Sequence, residues 1–222
     1  MSATLLSALL PPGTRTHEEF GDLLETALFP EEEAVIANAA DGRRREFATV
    51  RHCARQALAG IGQSAVPLVP GHRGAPVWPR NVVGSMTHCD GYRAAAVARR
   101  ADIAALGIDA EPHSALPGGV LDAIALPRER QHLSALGRRH RHLHWDRLLF
   151  SAKESVYKTW FPLTGQWLGF DEAELRFDPY RHTFHARLLR EGRDRESRPL
   201  RAFTGRWQVL RNLVLTAVAW QA

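Results

Sequence analysis

The chain has 222 residues, of which 45% are hydrophobic and 24% charged, as is typical of a globular protein with one domain or two small ones. The sequence contains no run of about 18 uncharged apolar residues, so a membrane-spanning helix is not expected. The two cysteines are too few for a disulfide framework, which favours a reducing cytoplasm. The net charge of +5, mostly from arginine, suits phosphates, nucleic acid or an acidic protein partner, but the arginine usage of a GC-rich genome would look the same.

The N-terminal part is predicted to be helical first and then extended. Residues 31–61 indicate two helices with a break at Asp41-Gly42, and in the second helix apolar residues recur at helical spacing: Phe47, Val50, Ala54, Leu58 and Ile61. Residues 65–80, rich in proline and glycine, are expected to be irregular. Strands are predicted over residues 92–98 and 103–110, and the preceding VVGSMTH is either a third strand or the entry to a turn.

The C-terminal part repeats the order of helices and then strands. Residues 116–143 are predicted as helix and loop. Residues 144–160 form the clearest helix, which Pro162 is expected to end, with an apolar stripe of Trp145, Leu148, Leu149, Ala152, Val156 and Trp160. From Gly169 onwards the stretches AELRF, HTFHARLL and GRWQVLRNLVLTAVAW indicate strands. This order predicts an α+β fold of two similar halves, residues 1–112 and 113–222.

The stretch GIDAEP, residues 107–112, carries two acids on a predicted strand. Residues two apart on a strand point to the same face, so Asp109 and Glu111 are expected to project side by side. Two carboxylates this close repel each other unless a cation or a proton lies between them, and Mg²⁺ prefers such oxygen ligands. The alternative is an ordinary acidic strand end that faces water.

Three further groups offer chemistry. Glu154 and Lys158 are four residues apart, which fits either an exposed ion pair or a third metal ligand with Lys153 and Lys158 as phosphate contacts. The stretch GSMTHC offers hydroxyls and an imidazole to a phosphate, or is simply a structural turn. The arginines of residues 43–55 either face solvent or bind a polyanion.

Two of these motifs together resemble a known family. The stretches Gly107-Ile108-Asp109-Ala110-Glu111 and Phe150-Ser151-Ala152-Lys153-Glu154-Ser155-Val156-Tyr157-Lys158 are similar, in order and separation, to the G-I-D-x-E and F-(S/C)-x-K-E-(S/A)-x-x-K motifs of Sfp-type 4′-phosphopantetheinyl transferases. The actinobacterial branch and its enterobactin-synthase relatives are the most similar members. The resemblance extends from about residue 28 to the C-terminus, and it implies that the two halves pack as a pseudo-dimer with the active site between them.

The resemblance also implies roles for individual residues. Asp109, Glu111 and Glu154 would bind Mg²⁺, or Mn²⁺, and Glu154 or a metal-polarised water would be the general base. The remaining predicted coenzyme A contacts are Lys158 at the pyrophosphate, Lys153 beside the metal, Thr87 and His88 at the 3′-phosphate, Arg43 and Arg51 at the nucleotide end, and Arg73 at a phosphate. Two positions depart from the pattern. Some relatives carry a larger side chain at the position of Ala110, so metal hydration is expected to differ. Pro70 replaces a lysine of close relatives, so one phosphate contact would be missing or supplied by a neighbouring residue.

The reaction that the resemblance implies moves 4′-phosphopantetheine from coenzyme A to a serine of an acyl or peptidyl carrier protein, with release of adenosine 3′,5′-bisphosphate. Such carriers serve fatty acid, polyketide or nonribosomal peptide synthesis and present an acidic helix, which gives a basic surface a purpose. A cytoplasmic monomer without nucleic acid or membrane partners is expected. A magnesium-dependent nuclease and a non-catalytic module that binds coenzyme A or carriers are the alternatives.

Overall fold

The computed structural model describes residues 4–221, and its first half is a three-stranded antiparallel sheet covered by a long helix. Its elements are β1 (Arg15–Phe20), α1 (Pro30–Val35), α2 (Asp41–Ala59), β2 (Val82–Cys89) and β3 (Tyr92–Arg99), with the strand order β1-β3-β2. The strand β1 was not predicted, because its sequence RTHEEF is polar except for Phe20 and is only partly buried at the sheet edge. The stretch VVGSMTH is a strand and not a turn.

The second half contains a five-stranded antiparallel sheet and three helices. The elements are β4 (Ala105–Pro112), α3 (Val120–Ile124), α4 (Pro127–Arg139), α5 (Trp145–Thr164), β5 (Ala173–Asp178), β6 (Thr183–Arg193), β7 (Pro199–Leu210) and β8 (Leu213–Trp220). The strand order is β4-β8-β7-β6-β5. None of the helices within the described residues is both long and apolar enough to cross a membrane.

Each long helix buries its predicted apolar stripe against a sheet. In α2, the residues Phe47, Val50, Ala54 and Leu58 are buried, and the partly buried Ile61, just after the helix, packs against the cluster that contains Ala54 and Leu58. In α5, all six predicted stripe residues are buried in the core of the second half. The α+β fold of two similar halves is confirmed, since each half has one long helix packed on an antiparallel sheet.

The end of α5 differs from the prediction. Pro162 lies inside the helix, which continues to Thr164 and ends where Gly165 adopts a left-handed conformation with φ of 68°. A proline in the last turn removes only one intrahelical hydrogen bond. The Gly165 N–H donates to the carbonyl of Phe161 at 2.8 Å, which closes the helix one turn later than expected.

The last predicted strand is in fact a hairpin. The stretch GRWQVLRNLVLTAVAW folds back between β7 and β8 at Arg211 and Asn212, whose φ angles are 52° and 60°. Two positive φ angles in a two-residue loop match the turns that join antiparallel strands tightly. The polar pair Arg211-Asn212, with apolar residues on both sides, is the sequence signal of this turn.

The two halves meet where β2 lies beside β4. The Ser85 hydroxyl accepts the N–H of Ile108 at 3.1 Å, and the Thr87 hydroxyl accepts the N–H of Ala110 at 3.0 Å. Side-chain hydroxyls of β2 therefore satisfy this edge of β4, while the opposite edge pairs with β8. The division of the chain after residue 112 stays a proposal, since β4 precedes that boundary and yet hydrogen bonds within the second sheet.

Candidate active site

Asp109 and Glu111 stand on one face of β4, near its C-terminal end. In the sheet register they lie opposite Thr216 and Val214 of β8. Asp109 is only 5% exposed, whereas Glu111 is half-buried. The strand is therefore as predicted, and the two acids reach the junction of the halves rather than open water.

Gly107 allows α5 to approach this face of β4 closely. A Cβ atom at Gly107 would lie 2.2 Å from the carbonyl oxygen of Ser155 and 2.7 Å from Oγ1 of Thr159. A hydrogen bond between hydroxyl groups also joins α5 to β8, the strand beside β4, since Ser155 Oγ lies 2.6 Å from Oγ1 of Thr216. The glycine of the G-I-D-x-E motif thus brings the polar side of α5 over the two acids.

Lys158 reaches from α5 to the first of these acids. Its ammonium donates to Asp109 Oδ1 at 2.7 Å and to the carbonyl of Ile108 at 3.1 Å. Among the described residues no ion pair joins Lys158 to Glu154, so the exposed helical pair considered for these two residues is not formed. Lys158 remains 27% exposed and can reach a ligand at the junction.

The second oxygen of Asp109 is without a hydrogen-bond partner among residues 4–221. Oδ1 lies 2.7 Å from Lys158 and 3.4 Å from the Thr87 hydroxyl, but within those residues the buried Oδ2 makes no hydrogen bond. A buried carboxylate oxygen without a partner is costly, because it has lost its water contacts and gained nothing in return. An added cation would satisfy it.

Glu111 and Glu154 lie in surroundings that disfavour negative charge. Burial raises the pKa of the Glu154 carboxyl, and the charges of Asp109 and Glu111 raise it further, while Lys158 opposes them. Burial and the charge of Asp109 likewise raise the pKa of Glu111, against the opposing effect of Arg147. These carboxylates repel one another in a partly desolvated space, which a shared cation would relieve.

Arg147 is a site residue that the sequence reasoning missed. Its guanidinium donates to Glu111 at 2.8 Å and to the carbonyls of Ser114 and Ala115 at 3.1 and 3.0 Å. It therefore fixes both the second acid and the segment after β4. The stretch WDRLLF offered no signal for this role, because the partner of Arg147 lies 36 residues away.

The chemistry of the acidic group fits a hard divalent cation. Asp109, Glu111 and Glu154 offer only oxygen ligands, which Mg²⁺ prefers, and one of those oxygens is buried and unpaired. The three carboxylates are not gathered within 4.8 Å of one another as a set. A metal would therefore require side-chain rotations that draw the carboxylates together, and Arg147 can keep its contact with one oxygen of Glu111 while the other oxygen binds the metal.

Arg43 and His88 meet at the other side of the junction through Glu46, which was not predicted. Glu46 lies 2.8 Å from His88 Nδ1 and 2.7 Å from Arg43 Nη1, and that same Arg43 nitrogen is 3.2 Å from His88 Nε2. Burial lowers the pKa of His88, which favours the neutral ring that donates from Nδ1 and accepts at Nε2. Arg43 and His88 are 52% and 41% exposed and form a reachable polar pair.

Arg51 and Thr87 are less accessible than predicted. Arg51 is 9% exposed, its guanidinium carbon lies 3.3 Å from the Phe47 ring centroid, and burial lowers its pKa to about 10. The Thr87 side chain is buried with its hydroxyl engaged by Ala110 and Asp109. Both phosphate contacts stay predictions, and the present geometry gives these side chains structural roles.

Arg73 lies on a short helical turn, His72–Gly74, that touches the second half of the chain. Its guanidinium is 5.7 Å from the Trp167 ring, and the neighbouring His72 ring stacks on Phe161 at 5.9 Å. Pro70 shapes this loop by bridging to Pro76. Arg73 is exposed and available to a ligand beside α5.

The Lys153 side chain does not take the position of a phosphate contact, contrary to the prediction. Its ammonium lies 2.8 Å from Glu129 and donates to the carbonyls of Ile124 and Ala173 at 2.9 and 3.1 Å, with Phe170 as a further acceptor. An ammonium has three N–H groups, so none remains for a ligand. Lys153 holds α5 to the elements around it.

Ala110 also differs from its expected role. Its methyl group is fully buried in the apolar cluster that includes Ile108 and Leu215, on the face of β4 opposite the acids. The small side chain therefore does not create room for water beside Asp109 and Glu111, and the expected effect on metal hydration is not supported.

Two protein-family models match the chain in consecutive segments. The model of the 4′-phosphopantetheinyl transferase N-terminal domain matches residues 31–98, and the model of the 4′-phosphopantetheinyl transferase superfamily matches residues 105–209. The second segment contains all of the junction residues contributed by β4 and α5.

Three curated relatives are similar over nearly the whole chain. The 4′-phosphopantetheinyl transferase Svp of Streptomyces mobaraensis is 56% identical over 97% of this chain and 89% of the relative. The transferase Npt of Nocardia iowensis is 47% identical over 97% of this chain and its own full length. The transferase PptT of Mycobacterium tuberculosis is 46% identical over 97% of each chain.

Proposed function

The chain belongs to the 4′-phosphopantetheinyl transferase superfamily, and from this membership we propose which of its side chains carry out the transfer. The enzyme moves the 4′-phosphopantetheine arm of coenzyme A to a serine hydroxyl of a carrier protein. The nuclease and the non-catalytic binding module that the sequence left open receive no support from these relatives.

Asp109, Glu111 and Glu154 would hold a magnesium ion, with Mn²⁺ as an alternative. The unpaired buried oxygen of Asp109 is the observation that carries this proposal, since it needs a cation and Lys158 reaches only the other oxygen. A magnesium ion bound there would neutralise charge on the pyrophosphate of coenzyme A.

Lys158 would contact the pyrophosphate itself. In the absence of ligand it neutralises Asp109, and it is free to turn to phosphate oxygens once the carboxylates share another cation. An ammonium held beside the leaving phosphate stabilises the charge that grows there as the bond breaks.

Glu154 would take the proton of the carrier serine. The serine oxygen forms a bond to the phosphorus that carries pantetheine, the bond from that phosphorus to the nucleotide phosphate breaks, and adenosine 3′,5′-bisphosphate leaves with the electron pair. The serine proton passes to the Glu154 carboxylate. Glu154 also borders a cavity of about 90 Å³ with Tyr157, Trp167 and Phe170, whose rings suit the apolar part of the arm.

The nucleotide end of coenzyme A would lie against Arg43 and His88. Arg43 is an exposed guanidinium whose fork matches phosphate oxygens, and the His88 ring is held beside it by Glu46. Arg73, on the other side of α5, would add a further phosphate contact.

The proposed protein partners are acyl and peptidyl carrier proteins that present an acidic helix. The enzyme would act on them as a monomer in the cytoplasm, where the free thiols of Cys53 and Cys89 are stable.

Conversion of an apo carrier protein tests the proposal directly. The protein is incubated with coenzyme A, MgCl₂ and apo carrier, and the carrier mass is expected to rise by one phosphopantetheine arm. Chelation of magnesium should stop this, and Asp109→Asn should lower kcat/KM by roughly 10³-fold, because several kcal/mol of charge stabilisation are lost. Asp102→Asn changes an exposed acid in the turn before β4 and serves as the matched control.

The outcomes are separable. Asp109→Asn with wild-type activity would refute the metal assignment, while the mass gain would still establish the transferase. If the carrier gains no mass with the wild-type protein under any of these conditions, the transfer itself is refuted.

A further inference from the structure

A second group of ligand-type side chains lies where β1 meets α2, outside the junction of the halves. His17 and Glu19 are two residues apart on β1 and share one face, and His52 faces them from α2. His17 Nε2 lies 3.0 Å and His52 Nε2 3.9 Å from the same oxygen of Glu19. One ligand atom from each residue lies within 4.8 Å of the others.

The group is held in place and is still reachable from solvent. The side chains of His17, Glu19 and His52 are 33%, 29% and 30% exposed, and the two imidazole rings meet edge to face at 5.5 Å. The positions are fixed by a sheet and a long helix rather than by a loop. An ion could enter without unfolding either element.

Glu19 pairs with no lysine or arginine in the part of the chain that the structure describes. Within residues 4–221 its only ion-pair partners are the two imidazoles. Arg93, which lies opposite Glu19 on β3, pairs instead with Asp22. Glu19 accepts the Nε2–H of His17, and a metal that binds at this point would displace that proton, so that imidazole nitrogens and one carboxylate charge face the same ion.

We propose that His17, Glu19 and His52 bind one Zn²⁺, or a similar late first-row divalent cation, with water at the fourth position. Imidazole nitrogens and a carboxylate are ligands that Zn²⁺ takes, whereas Mg²⁺ and Ca²⁺ prefer oxygen alone. Bonds of about 2.0–2.1 Å place tetrahedral ligand atoms about 3.3 Å apart. The observed 3.0 and 3.9 Å lie on either side of that separation, so side-chain adjustments suffice.

Such a site would tie an edge strand to the helix that carries Arg43 and Arg51. Because a metal that binds only the folded chain stabilises it by mass action, the melting temperature should rise with Zn²⁺ concentration. The site would be independent of the acidic group at the junction, since the two differ in ligand chemistry and lie on different elements.

Calorimetric titration of tag-free full-length protein with Zn²⁺ tests the inference. A large excess of Mg²⁺ is present throughout, so that the acidic group is already supplied with its preferred ion. The wild-type chain is expected to bind one Zn²⁺. The double variant His17→Gln/His52→Gln should lose more than about 100-fold in affinity, since even outer-shell changes at metal sites cost 10–100-fold.

Two further variants test which side chains hold the ion. His140→Gln/His142→Gln alters the histidine-rich stretch before α5 and should bind Zn²⁺ as the wild type does. Glu19→Gln keeps both imidazoles and should bind roughly tenfold more weakly. Circular dichroism without metal shows whether each variant folds, and Co²⁺ absorption in the visible region reports four-coordinate geometry in the folded ones.

Equal affinity and stoichiometry in the wild type and the His17→Gln/His52→Gln variant would overturn the inference. Loss of binding in the His140→Gln/His142→Gln variant would overturn it as well, by assigning the ion to the histidine-rich stretch. Transfer activity in Mg²⁺ is expected to be the same in all of these variants, so failure here leaves the proposed function untouched.

Discussion

Lys153 and Lys158 lie five residues apart on α5, and their surroundings differ completely. The Lys153 ammonium is buried with Glu129 and backbone carbonyls as partners, and Glu129 in turn accepts the N–H groups of Leu126 and Leu175 at 2.8 and 2.7 Å. The Lys158 ammonium is 27% exposed and binds one oxygen of Asp109, whose other oxygen has no hydrogen-bond partner among the described residues. The charged groups around Lys153 all have partners, whereas the group around Lys158 can still bind a ligand.

This difference separates stability from catalysis within one motif. A complete buried ion pair gains nothing from a ligand, and its removal leaves a buried charge behind. An incomplete, partly exposed group is costly in the free protein but is ready to bind phosphate and metal. We therefore expect variants of the two lysines to fail in different measurements.

Lys153→Ala should cause the largest loss of stability. Removing one partner of a buried pair costs about 3–5 kcal/mol, because Glu129 is left buried without its cation. Urea denaturation should show this decrease in the free energy of unfolding. The kcat/KM of the folded fraction should change much less.

The matched control is the double variant Lys153→Met/Glu129→Gln, which removes both charges and should recover part of the lost stability. A single Lys153→Ala variant as stable as the wild type would show that the buried pair is not structural, and the contrast between the two lysines would fail.

Lys158→Ala should reverse this pattern. We expect kcat/KM to fall by roughly 10²–10³-fold, because a charged group that stabilises the leaving phosphate is lost. The unfolding free energy should fall by about 1–3 kcal/mol, less than in Lys153→Ala, because Lys158 is partly exposed although Asp109 is buried. Steady-state kinetics and urea denaturation of the same preparation measure both quantities.

Lys158→Arg keeps the charge and should retain more activity than Lys158→Ala. If Lys158→Ala instead unfolds the protein while its remaining folded fraction is fully active, Lys158 is a structural residue like Lys153.

The sequence could predict the faces of α5 and β4 but not the contacts of their side chains. Helical spacing identified the buried stripe, and the strand period placed Asp109 beside Glu111. Those periods determine the direction of each Cα–Cβ bond. A lysine side chain extends several bonds further, and Lys153 bends to Glu129, 24 residues earlier in the chain, which no local pattern indicates.

Arg147 and Glu46 were missed for the same reason. Each makes its decisive contact with a residue far away in sequence, Glu111 and His88 respectively. The resemblance to a family identified the residues of the motifs, whereas the supporting partners became visible only when the helices and sheets were packed together.

Gly107→Ala tests whether the close approach of α5 keeps Lys158 at Asp109. The added methyl would meet the Ser155 carbonyl at 2.2 Å, and a backbone atom cannot rotate away. Forced overpacking costs about 1–3 kcal/mol, and displacement of the helix should also lower kcat/KM. Urea denaturation and carrier conversion are the measurements.

Gly137→Ala provides the matched control, because nothing lies within 4 Å of its added Cβ in α4. It should be neutral or stabilising by up to about 1 kcal/mol through helix propensity. Equal behaviour of the two glycine variants would mean that the spacing between α5 and β4 is not important.

Arg147→Gln should have the smallest effect on activity and should act mainly on metal binding. Arg147 positions Glu111 through the contact at 2.8 Å and also holds the carbonyls of Ser114 and Ala115. Loss of an outer partner of a metal ligand weakens metal binding by roughly 10–100-fold, so the half-saturating Mg²⁺ concentration should rise about tenfold while kcat at saturating Mg²⁺ is kept. Arg138→Gln, an exposed arginine of α4, should leave this concentration unchanged. An unaltered Mg²⁺ requirement in Arg147→Gln would place Glu111 outside the metal site, and Asp109 and Glu154 would then remain as the only carboxylates of the open region beside Lys158.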